Sequence, residues 1–316
     1  MARKVVRYRH QGELGWGIVD AHGVRPLATA YTSTRELLEH GEAELRAVAS
    51  DAPTLREREL ELLSPITENQ QLIFQATNYR DHKREAGLDP DSAGPNIVFR
   101  KASSAICGAR SDVVRPARVL LLDYELELGL VIGRSITGPI GRPSELADFL
   151  AGVVMLNDLS ARDIQVPEGQ FFKGKSFRTF CPIGPYLCLL DAHELARLGE
   201  LRLTLFVNGE KRQDALASEM IHKPADTIAE LAEVMDMFAG DLIATGTPAG
   251  VALRAPRQPL RTLASLLPEH VKWKLFIEGQ QKSPRYLKAG DLIEARIRDD
   301  QGRLDLGLQQ NRVVVG

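Results

Sequence analysis

The order of the extended segments constrains this fold more than any other feature of the sequence. After residue 66, short apolar and β-branched runs recur between glycines and prolines, which is typical of β-strands. The strands that we predict are 72–76, 97–100, 120–132, 152–158, 185–190, 201–207, 241–245 and 292–297. Helices are predicted at 144–150 and 227–239. Because strands and helices do not alternate regularly, a doubly wound sheet is disfavoured and a mixed, mainly antiparallel, β-rich α+β architecture is expected.

The first 66 residues have a different pattern. Three short strands are predicted at 4–8, 15–19 and 23–27, separated by turn-like stretches. Residues 33–49 carry a helical pattern, with Ser33 or Thr34 as the N-cap. The apolar stripe of this helix is formed by Leu37, Leu38, Leu45 and Val48. Because this segment has no clustered acid, base or metal-ligand spacing, we predict a small N-terminal α/β accessory domain at 1–66 and a catalytic domain at 67–316.

Charge and composition exclude several classes of partner. The chain has 40 basic and 42 acidic residues and a formal charge of −2, so it has no overall basic field for nucleic acid. The strongest apolar run, 119–122, stops at Asp123, far short of the roughly 20 residues of a membrane-spanning helix. Cys107, Cys181 and Cys188 form no CxxC pair, which favours reduced thiols in a cytoplasmic protein. An anionic ligand would therefore need local positive charge or a metal ion.

Two glutamates lie close together in the predicted strand 120–132. The alternation of a strand puts Glu125 and Glu127 on one face and Leu126, Leu128 and Leu130 on the other. Neighbouring carboxylates repel each other, so this face favours either solvent or a cation. Alternation by itself favours a solvated acidic face by roughly four to one. The apolar flanking sequence favours the cation.

A third carboxylate follows the apolar strand 152–158. Asn157 and Asp158 stand where this strand turns into polar sequence, and an Asx turn or helix cap is the common explanation. The alternative is that Asp158 lies beside Glu125 and Glu127. Three carboxylates with open positions suit Mg²⁺, Mn²⁺ or Ca²⁺. Zinc is disfavoured because no cluster of cysteine and histidine stands nearby.

Two further segments contain candidates for acid–base or anion chemistry. His82 and Glu85 can meet on one helical turn, either as an exposed ion pair or as a carboxylate that orients a general base. Lys175 lies in a Gly-Lys-Ser segment that lacks the upstream glycine of a phosphate-binding loop. Residues 245–250 predict a tight turn whose backbone N–H groups could face an anion. Both glycine-containing segments are also typical of ordinary loops.

Together, and in this order, these segments resemble the fumarylacetoacetate hydrolase family. The resemblance covers roughly residues 72–316. The matching residues are Asn78-Tyr79 with His82 and Glu85, Phe99 with Lys101, Tyr124 to Glu127 with Val131 to Gly133, Asn157-Asp158 with Ser160 to Asp163, Gly174 to Ser176, Pro182 to Pro185, Val207 to Glu210, Thr245 to Pro248 with Gly250, and Leu287 with Gly290-Asp291.

The resemblance implies a β-roll catalytic domain, a divalent cation (Mg²⁺ or Mn²⁺) and a homodimer. It implies that the metal ligands are Glu125, Glu127 and Asp158. It also implies a catalytic dyad of His82 and Glu85 on a mobile lid. Lys175 would stabilise negative charge on the substrate, and the residues that contact the substrate would be Arg162, Gln165 and Thr247.

The sequence departs from the family pattern in two places. Residues 251–286 include more sequence than the compact family members have, so the choice of substrate cannot be transferred directly. The aspartate that adds a fourth metal ligand in the fumarylacetoacetate hydrolases proper has no counterpart here. The chain is therefore nearer the smaller relatives that cleave acylpyruvates, decarboxylate oxaloacetate or move enol double bonds.

The sequence leads to the hypothesis of a metal-dependent hydrolase that cleaves a C–C bond in an acylpyruvate or similar β-diketo acid. In it, His82 deprotonates a water molecule, and the metal and Lys175 stabilise the enolate that is released. The alternative is an isomerase, tautomerase or decarboxylase of a related oxo acid, which would use the same site. A third alternative is an inactive protein that binds an oxo acid, although pure metal binding would need neither His82 nor Lys175.

Overall fold

The computed structural model describes residues 2–47, 54–255 and 266–316. Strands dominate these ranges, as the sequence predicts. They are β1 Arg3–His10, β2 Glu13–Asp20, β3 Gly23–Pro26, β4 Glu61–Leu63, β5 Leu72–Gln75, β6 Val98–Arg100, β7 Ile106–Gly108, β8 Val113–Arg115, β9 Leu122–Asp123, β10 Leu126–Ile132, β11 Leu150–Asn157, β12 Ser160–Ala161, β13 Cys181–Ile183, β14 Leu187–Leu189, β15 Leu201–Val207, β16 Glu210–Leu216, β17 Leu242–Ala244, β18 Leu292–Asp299 and β19 Asp305–Val315.

The helices are fewer and mostly short. They are α1 Thr34–His40, α2 Glu42–Ala47, α3 Arg80–Glu85, α4 Arg162–Glu168, α5 Phe171–Lys175, α6 Ala192–Leu195, α7 Pro224–Val234 and α8 Glu269–Gln281. Single 3-10 turns lie at Glu57–Glu59, Ser103–Ala105, Leu146–Asp148, Leu198–Glu200 and Ala217–Glu219. None of the helices in the described ranges is both long and apolar enough to cross a membrane.

Two mixed sheets and a two-stranded sheet of β9 and β12 organise the described residues. The larger runs in the order β3-β2-β1-β14-β11-β10-β17-β5-β6, with β4 on β1 and β13 between β11 and β7, and the smaller runs β16-β15-β18-β19-β8. Most neighbours are antiparallel, whereas β17 with β5, β13 with β7, and β19 with β8 are parallel. Apolar residues of both sheets, such as Leu126, Leu203 and Ile297, share one core. The predicted mixed, β-rich architecture is confirmed.

Strand β10 lies in the middle of the larger sheet, and this position explains its composition. It pairs with β11 on one side and with β17 on the other, and each of its seven residues is buried. A strand that is covered on both faces has a nearly continuous apolar sequence rather than an alternating one. The solvated acidic face that alternation favoured is therefore wrong, because Glu127 is only 1% exposed and Glu125 only 4%.

The predicted helix 144–150 is mostly wrong. Only the turn Leu146–Asp148 is helical, and β11 begins at Leu150, where its register with β10 determines the backbone. The predicted strand 120–132 is divided into β9 and β10, and the helix predicted at 227–239 ends at Val234. In these places tertiary strand pairing prevails over local propensity.

The N-terminal strands extend the larger sheet. Val5 of β1 pairs with Leu187 of β14, and β4 pairs with β1 from the other end of the segment. The predicted N-cap Ser33 is confirmed, since its side chain accepts a hydrogen bond from Glu36 N at 3.1 Å. The helical stretch is divided into α1 and α2, and Val48 lies outside the described residues. Residues 2–47 therefore pack on the sheet that carries the candidate site, while the proposed domain boundary stays a prediction.

Candidate active site

Strand pairing brings the three predicted carboxylates together. Leu126 pairs with Asn157, so the residues just beyond the ladder, Glu125 and Asp158, are neighbours, and Asp158 N donates to Glu125 O at 2.7 Å. Glu127 lies one step into β10. One carboxylate oxygen from each of these three acids lies within 4.8 Å of the others, and all three side chains are buried. We call Glu125, Glu127 and Asp158 the acidic triad.

Two lysines neutralise part of this charge. Lys175 Nζ donates to Glu125 Oε2 at 2.6 Å and also to Asp158 Oδ2. Lys101 Nζ donates to Asp158 Oδ1 at 2.6 Å and to Phe180 O at 2.7 Å. Both ammonium groups are almost completely buried. Since each buried charge has an opposite partner, the cost of removing it from water is offset in part.

Stacked aromatic rings lie against the two lysines. The Phe99 ring stacks on Phe171 at 4.7 Å and on Phe74 at 5.4 Å. Lys175 Nζ lies 5.1 Å from the centre of the Phe99 ring, and Lys101 Nζ lies 5.3 Å from that of Phe74. These rings exclude water and add cation–π attraction, so charges at the site interact in a medium of low polarity.

The Gly-Lys-Ser segment has a packing role that the sequence did not reveal. Gly174 lies in α5, and a Cβ atom there would lie 2.7 Å from Gln165 Cβ and 2.9 Å from Gln165 N in α4. Only glycine permits this close approach of the two short helices. The approach places Lys175, the next residue, against the acidic triad.

Arg162 connects the acidic triad to a fourth acid, Asp123. Its Nε donates to Asp123 Oδ2 at 2.9 Å, its Nη2 donates to Glu125 Oε1, and its Nη1 donates to Gln165 Oε1 at 2.8 Å. Burial opposes its charge, but Glu125 and Asp123 raise the pKa of Arg162 above its usual value. Arg162 is therefore a fixed cation, with Gln165 holding one edge of its guanidinium.

The surroundings shift the pKa values of Glu127 and Glu125 in opposite directions. Burial raises the pKa of Glu127 well above its usual value, and repulsion from Asp158 and Glu125 raises it further. Burial opposes ionisation of Glu125 as well, but Arg162 and Lys175 hold its pKa well below the usual range. Burial also opposes the charge of Lys175, yet Asp158 and Glu125 raise its pKa above the usual value.

This donor set fits a hard divalent cation. It offers three carboxylates and no sulfur or imidazole ligand, which is the chemistry that Mg²⁺ and Mn²⁺ prefer. Glu127 is consistent with the same assignment, because burial raises its pKa first and repulsion from Asp158 and Glu125 raises it further, against the opposing effect of Lys175. A cation beside Glu127 would favour the ionised form of this carboxyl.

Backbone N–H groups of the loop from residue 245 to 255 donate hydrogen bonds to three acidic side chains of the site. Gly246 N donates to Glu127 Oε2 at 2.8 Å, and Gly250 N donates to Glu85 Oε2 at 2.9 Å. Ala252 N and Leu253 N donate to Asp123 at 2.7 Å and 3.0 Å. One of the two interpretations of residues 245–250 was that their N–H groups could face an anion, and for Gly246 and Gly250 the anions are side chains of the protein itself.

Thr247 lies on this loop, but its hydroxyl is already engaged. It donates to Leu126 O at 3.0 Å and accepts from Gln213 Nε2 at 2.8 Å. Gly246 has a φ of +82°, and a Cβ there would lie 2.8 Å from Asn78 Cβ, so glycine is required at the start of the turn. Contact of Thr247 with a substrate stays a prediction, while its contacts in this structure support the beginning of β10.

His82 and Glu85 lie together at the side of the acidic triad. His82 Nδ1 is 3.9 Å from Glu85 Oε2, beyond hydrogen-bond distance, although both side chains lie on α3 as predicted. His82 is buried and its Nδ1 has no hydrogen bond to the described residues, whereas Glu85 pairs with Arg254 at 3.0 Å. The loop 245–255 links this pair to the triad, since Gly250 N donates to Glu85 and Gly246 N donates to Glu127. An exposed ion pair does not describe this arrangement.

Sequence reasoning missed three residues of this site. It quoted Lys101 without a role, treated Asp123 only as the end of an apolar run, and did not mention Arg254. Lys101 meets Asp158 across 57 residues of chain, and Asp123 meets Arg162 across 39. Their only local signal is a charged side chain in an apolar stretch, which does not identify the partner.

A cavity of about 910 Å³ lies away from this cluster. It is lined by residues of α2, β11 and β14, among them Arg46, Leu150 and Leu189, and by none of the predicted site residues. Volume therefore does not locate the chemistry of this protein. The cluster of buried charges does so, because buried ionisable groups that are held in specific contacts are typical of functional sites.

Comparisons with known proteins agree on one family. The fumarylacetoacetate (FAA) hydrolase C-terminal family matches residues 71–314. The mitochondrial oxaloacetate tautomerase FAHD2A of Bos taurus is 31% identical over 306 residues, covering 95% of this chain and 85% of the relative. The solved fumarylacetoacetate hydrolase of Exiguobacterium antarcticum is 29% identical, with a TM-score of 0.76, covering 99% of this chain and 100% of that one.

A second solved structure supports the fold alone. It is the 2-hydroxyhepta-2,4-diene-1,7-dioate isomerase of Mycobacterium marinum, which is 23% identical, with a TM-score of 0.70 and coverage of 99% and 98% of the two chains. The bovine relative covers 95% of this chain and the two solved structures cover 99%, so these three matches extend beyond the family model, which begins at residue 71. The resemblance that the sequence motifs indicated is confirmed.

Proposed function

Because this chain belongs to the fumarylacetoacetate hydrolase family and is an enzyme of that family, we propose that it interconverts the keto and enol forms of a small oxo acid. Oxaloacetate is the first candidate, since the bovine relative is named an oxaloacetate tautomerase. The observation that carries the proposal is a fixed ammonium group, Lys175, on the acidic triad beside a histidine whose Nδ1 no described residue binds. These are the parts that enolate chemistry needs.

The acidic triad is the proposed holder of a divalent cation, Mg²⁺ or Mn²⁺. When bound there, the cation would act as a Lewis acid toward a carbonyl oxygen. The carboxylates would bind and orient it, and Lys101 and Arg162 form ion pairs with Asp158 and Glu125. Their hydrogen bonds also fix the carboxylate planes, as the residues around a metal site commonly do.

His82 is the proposed proton carrier. Its Nε2, on the side of the ring away from Nδ1 and Glu85, would take the proton from the carbon next to the keto group and return it in the reverse direction. Lys175 would stabilise the negative charge that develops on the keto oxygen, because its ammonium is already oriented by Glu125 and Asp158. The substrate carboxylate would meet Arg162, with Gln165 and Thr247 as further proposed contacts.

Tautomerisation makes a smaller demand on this site than hydrolysis does. It needs one base and a stabilised enolate, whereas C–C hydrolysis also needs a water molecule that the His82–Glu85 pair activates. The bovine relative is also named for tautomerisation and not for cleavage. The hydrolase that the sequence favoured is therefore the weaker hypothesis, and its alternative is the one that we propose.

The test compares three reactions of one purified enzyme, with Mg²⁺, with Mn²⁺ and with EDTA. Ultraviolet absorbance follows the enol of oxaloacetate and the cleavage of an acylpyruvate, and a coupled assay detects pyruvate from decarboxylation. We expect metal-dependent acceleration of keto–enol exchange with the highest kcat/KM. Faster cleavage of the acylpyruvate would restore the hydrolase, faster release of pyruvate would indicate a decarboxylase, and metal binding without turnover would indicate a binding protein.

We propose an accessory role for residues 1–66 and a homodimeric assembly. No described residue before Ser64 belongs to the acidic triad or contacts it, and β1 covers the edge of β14. At the other end of the sheet order, β6 leaves Ile97 and Val98 exposed, which would suit a subunit contact. Deletion of residues 2–66 should impair solubility or dimerisation, measured by light scattering, more than it changes the preference for Mg²⁺ or Mn²⁺.

We propose a cytoplasmic location for this chain, although the bovine relative is named as mitochondrial. The three cysteines are free thiols, and Cys181 and Cys188 are buried. Buried free thiols are typical of a reducing compartment. Fractionation of cells that express the tagged protein tests the location, and recovery in an organelle or an exported fraction would contradict it.

A further inference from the structure

Arg254 lies at the end of the loop 245–255, where it borders both the dyad and solvent. Its Nη2 pairs with Glu85 Oε1 at 3.0 Å, while its Nη1 donates to Val251 O at 2.7 Å and to Leu253 O at 3.1 Å. The side chain is still 43% exposed. The guanidinium is therefore held by the loop but remains accessible to a ligand that arrives from solvent.

Glu85 is shared among three groups. Its Oε1 meets Arg254, and its Oε2 accepts from Gly250 N at 2.9 Å and lies 3.9 Å from His82 Nδ1. The imidazole nitrogen is the group left without a hydrogen bond to the described residues, although it is buried. A buried nitrogen of this kind favours any movement that gives it a partner. Arg254 holds the carboxylate that could be that partner.

Neighbouring contacts connect Arg254 to the middle of the site. Tyr286 interacts electrostatically with both Arg254 and Arg162. The Tyr286 hydroxyl donates to Gln280 Oε1 at 2.7 Å, and Gln280 Nε2 donates to Arg254 O at 3.0 Å. The helix α8 therefore holds the backbone of Arg254 through Gln280.

We propose that Arg254 determines specificity by binding a second carboxylate on the substrate, and that this binding releases Glu85 to hydrogen-bond His82. This inference rests on the proposed function and narrows its substrate class to short oxo acids with two carboxylates. A guanidinium binds carboxylates in a planar, two-pronged geometry, so a substrate carboxylate and Glu85 compete for it. Once Glu85 is released, it can orient the imidazole that moves the proton.

A substrate without the second charge leaves Arg254 on Glu85. His82 and Glu85 then stay separated. Loss of the second carboxylate on the substrate therefore weakens binding and slows turnover together. This coupling differs from a merely structural role for Arg254, which would lower activity on every substrate alike. The inference therefore predicts a change in discrimination between substrates.

The experiment compares oxaloacetate with its 4-methyl ester, which keeps the keto acid and loses only the distal charge. In the wild type, kcat/KM should favour oxaloacetate. In Arg254→Met, the ratio of the two kcat/KM values should fall by about 10- to 100-fold, the range for a charged hydrogen bond that is lost. Arg254→Lys, which keeps the charge but not the fork, should lie between the two. The control is Arg197→Met, an arginine paired with Glu200 at 2.6 Å elsewhere on the surface, and its ratio should be unchanged.

The release of Glu85 has a separate readout. Malate carries two carboxylates and does not enolise, so its addition to the wild type should produce a downfield proton signal from His82 Nδ1–H. In Arg254→Met the signal should be present with or without malate, because no arginine holds Glu85 away from His82. In Glu85→Gln the signal should be missing under both conditions.

An unchanged substrate ratio in both Arg254 variants, with folding verified by circular dichroism, would overturn the inference while the proposed function stands. Malate that binds without producing the histidine signal would overturn the release of Glu85. If the wild type accelerates the tautomerisation of neither substrate, the proposed function itself fails, and this inference fails with it.

Discussion

The acidic triad and the His82–Glu85–Arg254 group line one site, yet they are held in different ways. The triad lies where β10 begins and β11 ends, is fully buried, and has lysine contacts of 2.6 Å at Glu125 and Asp158. The second group lies on a helix of six residues and on a loop, and its His82–Glu85 distance is 3.9 Å. We call the second group the rim.

The difference shows which part of the site is ready before a ligand arrives. Side chains that strand pairing holds in place need little reorganisation when the reaction occurs. Such rigid positions suit groups that must stabilise charge. A single turn of helix has little stability of its own, so its position depends on its contacts. The contacts of the rim include an arginine that a ligand can reach. We therefore expect the triad to be preorganised and the rim to be completed by the substrate.

The largest expected effect comes from removing the cation or one of its proposed ligands. EDTA, or Glu127→Gln, should lower kcat/KM at least about 10³-fold, because a bound cation supplies several kcal/mol of charge stabilisation. Turnover with and without added Mn²⁺ measures this effect, and calorimetry measures metal binding. Full activity in the metal-free enzyme would contradict the proposal that the triad binds a cation needed for turnover.

The stability of the metal-free protein should differ between two members of the triad. Asp158→Asn leaves Lys101 and Lys175 with less compensation and should lower the free energy of unfolding by about 3–5 kcal/mol. Glu127→Gln removes the acid whose pKa burial and its acidic neighbours raise, so it should cost less than about 1 kcal/mol or stabilise the protein. Urea unfolding in EDTA measures both changes. Equal losses would mean that the lysines do not depend on Asp158.

Loss of the proposed base should affect turnover without affecting the metal. His82→Ala should lower kcat by about 10²- to 10⁴-fold, the usual range for general acid–base catalysis. The Kd for Mn²⁺ should not change, since His82 is not a proposed ligand. The matched control is His40→Ala, at the exposed end of α1. A His82 variant with wild-type kcat would leave the rim without a proton carrier.

The smallest effect is expected at Glu85. Glu85→Gln should lower kcat about 10-fold, because the carboxylate acts through the orientation of His82 rather than on the substrate. In His82→Ala the same substitution should have almost no further effect, since residues that act as a unit are not additive. A Glu85 variant that is as impaired as His82→Ala would show that the carboxylate itself moves the proton.

Local sequence determined much of the fold of this protein. Apolar, β-branched runs between glycines predicted the strands from Leu72 onward, and Ser33 predicted the start of α1, because these signals act within a few residues. The acids that meet in the triad, and Lys175, were also selected from their strands and motifs. The types and the order of these residues made them candidates, and the family resemblance predicted that they belong to one site.

The tertiary structure decided what each of these residues touches. Alternation favoured a solvated face for Glu125 and Glu127, but β10 is covered on both faces, which only the sheet order reveals. We now propose a tautomerase instead of the hydrolase that the motifs favoured. The same motifs would serve either reaction, so the choice between them rests on the named relative. Lys101 meets Asp158 across 57 residues and Asp123 meets Arg162 across 39, while Gly250 reaches Glu85 across 165 residues. Contacts between such distant residues depend on how the sheets and loops pack together. The local sequence around one residue therefore does not identify its partner.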